Sequence, residues 1–302
     1  MNYKRLISSR RVRVLILSWL RWIPDRIMIP LQYQIHTGRK LNKKNPTRFT
    51  EKMQLYKLRY RNPLMLKCTD KYIVREVIKD WGYEDFLIPL LGVYDCIKDI
   101  NFDTLPSQFV VKTTDGGGGN QVLVCRDKNV LGKEKLLSTL EMWMKAPRAN
   151  NAGREWAYEN GFPRRIMFEE LICDGKSKDI PDYKFYCFNG VPVYCQLIGN
   201  RTTGETIDFF DMEWNHQPFR GLNPVCKNAP NIAQRPVNFE KMKDLAAHLA
   251  KQFPFVRVDL YDTGDKVYFG ELTFYPASGL GHFTPDEWDE KLGSLLNIKD
   301  FN

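Results

Sequence analysis

Two short segments carry acids and a base at the alternating spacing of paired strands: Arg257-Val258-Asp259 and Glu271-Leu272-Thr273. Alternation puts Arg257 and Asp259 on one face of the first strand, and Glu271 and Thr273 on one face of the second. A hairpin that buried those faces together would bring two carboxylates and a hydroxyl beside an arginine. Carboxylates that close repel unless a cation lies between them, and Mg2+ held by carboxylate and nucleotide phosphate oxygens meets that need. The plain alternative is a solvated hairpin face of alternating charge.

A second feature is Phe109-Val110-Val111-Lys112 followed by Thr113-Thr114-Asp115-Gly116-Gly117-Gly118-Gly119-Asn120. Four glycines free the backbone to turn its N–H groups toward a polyanion, and the strand-end Lys112 can pair with a phosphate oxygen. A mobile surface loop is the alternative. No Gly-Lys-Ser/Thr follows, and Gly175-Lys176-Ser177 has Glu170 where a Walker loop needs glycine. The apolar run resuming at Gln121 reads as a strand, which excludes the dinucleotide fingerprint. A third feature, Phe168-Glu169-Glu170-Leu171-Ile172 with a later Asp182-Tyr183-Lys184, suits an adenine held by a strand end and a ribose bonded by an acid. Buried strand ends of no special function look the same.

Positioning these residues requires strands at 87–94, 108–112, 121–125, 165–173, 182–188, 191–198, 255–261 and 266–274, with Asn189-Gly190 as a two-residue turn. Helical periodicity predicts helices over 50–60, 68–81, 132–145, 238–252 and 285–296, and residues 199–236 read as loop-rich. The order of elements, without repeats or low-complexity linkers, predicts an interleaved α+β fold.

Charge is concentrated at one end. Residues 1–50 hold twelve Lys or Arg against the single acid Asp25, a sum of +11, so the remaining 252 residues sum to −2 against a total of +9. A near-neutral body argues against nucleic acid as partner. Arg13, Arg21, Asp25, Arg26, Pro24 and Pro30 interrupt the apolar stretch between Val12 and Ile35, so it does not approach a bilayer span. Two readings follow: a basic amphipathic helix in an anionic membrane interface, with Leu15, Trp19, Trp22 and Ile23 sharing one side, or a helix packed on the protein's own body. Seven cysteines without a C-x-x-C pair read as reduced thiols, which predicts a cytoplasmic location, peripheral to the membrane if the N-terminus docks there. The four histidines (36, 216, 248, 282) do not cluster.

Taken in order, these stations resemble the ATP-grasp family: Asp70-Lys71 opening a helix, Lys112 before the glycine loop, Phe168 to Ile172 as an adenine hinge, Asp182 to Gly190, and paired strands bearing Arg257, Asp259 and Glu271. Thr273 stands where the wider family has Asn. Asn45-Pro46-Thr47-Arg48-Phe49-Thr50-Glu51-Lys52-Met53-Gln54, Lys67 to Tyr72, Asp182 to Tyr186 and Phe269 to Thr273 through Pro276-Ala277-Ser278-Gly279 narrow the resemblance to the TupA-like polysaccharide-biosynthesis ATP-grasp proteins, a subgroup that Thr273 suits.

The resemblance implies two α+β lobes gripping ATP behind a basic N-terminal helical extension. The expected divisions are 1–45 for that extension, 46–105 for a helical pre-grasp region, 106–165 for the glycine-loop lobe and 166–302 for the hinge and metal-binding lobe. It implies ATP contacts from Lys71, Lys112, Gly116, Gly117, Gly118, Gly119, Glu169, Glu170, Leu171, Ile172, Asp182 and Lys184. Mg2+ would be held by Asp259, Glu271 and Thr273, with Arg257 and Lys184 in catalytic roles. The implied reaction is ATP-dependent joining of a carboxylate to an amine through an acyl phosphate. Its partners would be a sugar carboxylate, on a lipid-linked glycan if the enzyme works at a membrane, and an amine or amino acid. A glycosyltransferase or a non-enzymatic membrane or glycan adaptor are the rival readings.

Overall fold

A computed structural model describes residues 16, 17, 19–117, 121–146, 153–159, 161–173, 175, 179–202, 204–222 and 226–301. A small sheet is formed by β1 (Leu90–Tyr94), β2 (Phe109–Thr113), β3 (Val122–Cys125) and β4 (Ile166–Glu169), all antiparallel in the order β1-β4-β2-β3. Alternation along β2 turns Phe109, Val111 and Thr113 inward, and the helix Lys133–Lys145 covers that face with Leu136, Leu140 and Trp143. The sheet takes β1 from residues 46–105 and β4 from residues 166–302, so its strands come from three of the expected divisions. The strand expected over 165–173 stops at Glu169, and the next N–H, Glu170, bonds Pro89 O at 3.0 Å.

The larger sheet contains β5 (Asp182–Phe188), β6 (Val191–Gly199), β7 (Thr206–Phe210), β9 (Phe255–Asp262) and β10 (Val267–Thr273), in the order β10-β9-β5-β6-β7. Asn189 and Gly190 both adopt positive φ, 51° and 78°, the turn that an antiparallel two-residue hairpin favours. Helix Phe239–Ala250 lays Phe239, Met242, Leu245, Ala246 and Leu249 against the sheet. Strand β7 lies inside the stretch that reads as loop; its Thr-Ile-Asp-Phe-Phe run is too short to show a period of its own. A two-residue strand β8 (Arg220–Gly221) pairs with β11 (Phe283–Thr284).

The single helix expected over 68–81 is two helices, Leu64–Thr69 and Ile73–Asp80. Asp70 between them is extended, and its Oδ1 accepts the Tyr72 and Ile73 N–H groups, both at 2.9 Å. A carboxylate that satisfies free N–H donors starts a helix rather than continuing one. Lys71 therefore sits in the break, its own N–H bonded to Thr114 O at 2.9 Å.

At the N-terminal side, helix Asp25–Thr37 buries Met28, Ile29 and Tyr33 against the body and ends at Gly38 with φ 74°. Pro30 lies inside it. Proline has no N–H to offer the carbonyl four residues back, and Lys43 Nζ donates to that carbonyl, Arg26 O, at 3.1 Å. Arg154, 5% exposed, clamps the approach to this helix by donating to Leu20 O, Ile23 O and Asp25 Oδ1 at 2.6, 2.9 and 3.0 Å. Among the described residues no helix is long and apolar enough to cross a membrane.

The next helix, Phe49–Arg59, joins the two ends of the chain. Thr50 gives its N–H and hydroxyl to the Asp289 carboxylate at 2.9 and 2.7 Å, and Arg48 pairs with Asp286 and Glu290 at 2.9 and 2.8 Å. These acids belong to or cap the helix Glu287–Ser294. Gly293 lies so close to this junction that a Cβ would stand 2.0 Å from Thr47 O, which restricts the position to glycine.

Candidate active site

The pairing of β9 with β10 sets Glu271 opposite Asp259 and Thr273 opposite Arg257, while β5 sets Lys184 opposite Asp259 from the other side. A bulge at Gly270 carries Glu271 into that register. A side chain at position 270 would meet Asp259 O at 2.9 Å. The faces that alternation aligns are thus turned together, and Asp259 is only 2% exposed. The hairpin face is not a solvated one.

Asp259 is held on both oxygens. Arg257 Nε donates to Oδ1 and its terminal nitrogen to Oδ2, each at 2.7 Å, and Lys184 Nζ pairs with Oδ2. The same terminal nitrogen of Arg257 donates to Thr273 Oγ1 at 3.1 Å, and the Thr273 hydroxyl donates to Glu271 Oε1, also at 3.1 Å. Lys71 Nζ reaches the other Glu271 oxygen at 3.2 Å and Gly116 O at 2.6 Å. One lysine therefore connects the glycine loop to the paired acids. Burial works against the charged form of Glu271, but Lys71, Lys184 and Arg257 outweigh it and hold the carboxyl well below the usual carboxylate range. Burial likewise opposes the charge of Arg257, and the Asp259 carboxylate reverses that effect, raising its pKa above the usual arginine range.

The residues of the small sheet form a separate constellation. Lys112 Nζ meets Glu169 Oε2 at 2.5 Å, and Arg75 bonds Glu169 Oε1 at 3.1 Å and Ile88 O at 2.9 Å. Glu169 is 5% exposed, so its side chain is committed to these two cations, while Glu170 faces solvent and Leu171 and Ile172 are half-buried. Asp182, 3% exposed on β5, pairs with Arg201. Gly116 and Gly117 follow β2, and Gly118 and Gly119 lie outside the described residues.

Sequence reasoning missed the arginines. Arg75, Arg154, Arg164, Arg165 and Arg201 all engage acids in the described structure. A buried carboxylate requires a partner, so Glu169 and Asp182 announce that a cation exists, yet nothing in local spacing says which one arrives. A second omission is Lys57, 1% exposed, whose ammonium donates to Gly153 O, Ser278 O and Ser278 Oγ at 2.9, 2.6 and 2.9 Å. Burial pushes it down to about 8 against the opposing pull of Glu155, Glu159 and Asp25. With Gln54, which bonds Gly279 O at 2.7 Å, it fixes the loop that follows the acid-bearing strand β10. In that loop Ala277 and Ser278 adopt φ of 48° and 58°, left-handed values that these contacts sustain.

Comparison with curated proteins finds no match. Among solved structures the chain is similar to a D-alanine–D-alanine ligase from Bacillus anthracis, at 18% identity over 78% of this chain and 66% of that one, TM-score 0.43. It is also similar to the D-alanine–D-alanine ligase of Helicobacter pylori, at 15% identity over 79% and 64%, TM-score 0.41. A third likeness is to N5-carboxyaminoimidazole synthetase from Staphylococcus aureus complexed with ADP, at 14% identity over 74% and 50%, TM-score 0.43. The chain spans about two thirds of the length of the first two and half of the third. The family model for TupA-like ATP-grasp proteins matches residues 51–297, from the helix that clasps the C-terminal acids to the end of that clasp, and the chain belongs to this family.

Proposed function

We propose that the protein is an ATP-dependent carboxylate–amine ligase that amidates a sugar carboxylate during capsule or exopolysaccharide biosynthesis. The observation that carries this reading is the ring of Lys71, Lys184, Arg257, Asp259, Glu271 and Thr273, which three strands and one helix break bring to one place. Phosphoryl transfer requires neutralised charge around the moving group more than it requires a covalent side chain. A substrate carboxylate oxygen attacks the γ-phosphorus and ADP leaves. The amine nitrogen then attacks the acyl carbon, phosphate departs with the C–O electron pair, and the nitrogen gives up a proton to leave the amide.

Three cations of the ring stabilise these steps. Arg257 and Lys184 are locked on Asp259 and cannot drift with a flexible stem, which preorganises their charge. Lys71 is shared between Gly116 O and Glu271, so a phosphate that takes it also draws the glycine loop toward the acids. Lys112 lies on the small sheet beside Glu169, where an α- or β-phosphate would compete for it. The donor set fits Mg2+: two carboxylates and a hydroxyl, all oxygen, with nucleotide phosphates to complete the shell. Asp259 and Glu271 would hold the ion with Thr273 beside them, and when bound it supplies further neutralisation of the phosphates. Glu170, Leu171 and Ile172 would border the adenine, and Asp182 would face the ribose.

The acceptor in this reading is carried on a lipid-linked glycan, with an amino acid or simple amine as the second substrate and the cytoplasmic membrane face as the place of work. The test is a carboxylate labelled with 18O, offered with MgATP and a panel of amines. Transfer of one 18O to inorganic phosphate, with an amide in the product, is the expected result. A wild-type chain that binds no MgATP in calorimetry, or that turns over a nucleotide-sugar without ATP, overturns the proposal.

A further inference from the structure

Helix Asp25–Thr37 presents two apolar faces where packing on a globular body accounts for one. Its inner face buries Met28, Ile29 and Tyr33. On its outer face Ile27, Leu31 and Ile35 recur every fourth residue and are 54%, 46% and 44% exposed. Residues four apart lie nearly in line along a helix, so the three form one stripe. Just ahead of the stripe, Trp19 and Trp22 are 84% and 79% exposed. The two indoles come just before the helix that carries the aliphatic stripe, and the body leaves all five side chains uncovered.

The charges around this surface are mainly basic, and the acids that its arginines meet, Glu159, Asp286 and Glu290, are paired with Arg21, Arg39 and Arg48. Arg26, Lys40, Lys43 and Lys44 are exposed beside it, and the only acid between residues 16 and 50 is Asp25, which Arg154 holds at 3.0 Å. A second copy of the chain would set like charges against like charges. An anionic bilayer offers both complements, acyl chains for the stripe and headgroups for the lysines, and the indole ring suits the boundary between them.

We propose that this outer face lies flat on an anionic lipid bilayer, with Trp19 and Trp22 at headgroup level, Ile27, Leu31 and Ile35 against the acyl chains, and the flanking lysines over the headgroups. The contact differs from the side expected from sequence. Ile23 is half-buried and its carbonyl is taken by Arg154, while Leu15 lies outside the described residues. In this proposal the two expected alternatives, membrane contact and packing on the body, belong to different faces of one helix. The Arg154 clamp makes the surface part of the folded body instead of a tether: the neighbouring Gly153 O receives Lys57, which also holds Ser278. The bilayer would thereby be kept at a set distance from the loop after β10.

The experiment is flotation of the full chain with vesicles of phosphatidylcholine alone and with about 30% phosphatidylglycerol, at low and high salt. The wild type should float with the anionic vesicles and lose roughly tenfold or more of its partitioning on pure phosphatidylcholine. Trp19→Ala/Trp22→Ala/Leu31→Ser should lose roughly tenfold or more at both salt levels, because the apolar contribution is not screened. Lys40→Glu/Lys44→Glu should lose the preference for anionic vesicles. All five side chains are exposed, so unfolding midpoints should match the wild type and confirm that each variant is folded. Wild-type protein that stays in solution with anionic vesicles at low salt overturns the proposal, and so does a Trp/Leu variant that floats as well as the wild type. Calorimetry with MgATP on the same samples separates this proposal from the ligase reading, which rests on other residues. Flotation without ATP binding would sink only the latter.

Discussion

The two sheets share antiparallel pairing but differ in what stands on their faces. In the larger sheet β5 is buried along its whole length, and Phe185, Tyr186, Phe188, Phe255 and Leu260 join a core that runs on through Phe209, Phe219 and Trp288, stacked at 4.4 and 4.1 Å. The smaller sheet has a core on one side only, from Phe109 to Trp143, and its edge strand β3 leaves Val122 and Val124 39% and 48% exposed. A large aromatic core backs the acids of the larger sheet, whereas the smaller sheet rests on a smaller cluster of its own, which predicts that it opens at lower cost. In the proposed reaction the larger sheet holds the groups whose charge is fixed in advance, and the smaller one holds Lys112 and leads into the glycine loop.

The sharpest way to break this comparison is to neutralise each acid of the rigid sheet separately. Asp259→Asn leaves Arg257 and Lys184 buried without their counter-charge and should cost about 3–5 kcal/mol in urea unfolding together with activity. Glu271→Gln, at a side chain 36% exposed, should keep stability within about 1 kcal/mol while lowering turnover roughly 100-fold or more. Equal stability losses would mean the two acids are not differently embedded.

Core truncation sharpens the same contrast. Leu260→Ala and Leu140→Ala each remove a side chain of 0% exposure and should cost about 2–5 kcal/mol where the loss is felt. The first should lower global unfolding. The second should appear as faster amide exchange confined to β1–β4 and helix Lys133–Lys145, because those residues form their own cluster. Exchange that rises equally in both sheets would unite them into one cooperative body.

Lys57 gives a pH signature of the rigid part. Its ammonium is pushed down to about 8 in the fold from 10.5 in the open chain, so the unfolded chain binds the proton more tightly. The resulting destabilisation is full below about pH 8 and is relieved as pH rises toward 10.5, a gain of at most about 3 kcal/mol. Buried Tyr56, Tyr158 and Tyr275, raised by burial, act in the opposite sense as pH rises. The quantity to measure is therefore the wild-type minus Lys57→Met difference, which should climb across that window. A flat difference would mean Lys57 is not held charged in a dry site.

On the small sheet, Lys112→Ala should weaken MgATP binding by about 1.5–3 kcal/mol in calorimetry, a loss of roughly 10- to 150-fold. Unchanged affinity would show that Lys112 serves only Glu169. The mildest change is Thr273→Ala, expected to reduce turnover by less than about tenfold, since water can replace a hydroxyl ligand. A loss as deep as that of Glu271→Gln would raise Thr273 to the rank of the carboxylates.

The acid-bearing hairpin of the larger sheet was legible. Period-two alternation in Arg257-Val258-Asp259 and Glu271-Leu272-Thr273 specifies which side chains share a face, and Asn189-Gly190 specifies a hairpin, so local chemistry suffices for both. The four strands of the small sheet were legible too, but their order was not, because β4 pairs with β1 and β2 across long intervals, and in the larger sheet β7 was read as loop. Helix 68–81 was misjudged where Asp70 preferred to cap N–H groups over continuing the turn. The N-terminal stretch was read as one amphipathic helix choosing between two environments; helix Asp25–Thr37 packs Met28, Ile29 and Tyr33 on the body and leaves Ile27, Leu31 and Ile35 exposed.

The clasp between Thr50 and Asp289 has a consequence for how the chain comes to be folded. Its partners are 239 residues apart, and the helix Phe49–Arg59 that it anchors also supports the left-handed turn at Ala277 and Ser278 through Gln54 and Lys57. During synthesis the helix emerges early and must wait for nearly all the rest of the chain before its own N-terminus is satisfied. Contacts of such long separation are slow to form and leave apolar surface open meanwhile. The larger sheet, whose strands lie within residues 182–273, is thus completed late, and the smaller sheet, whose strands lie within residues 90–169, can assemble before it.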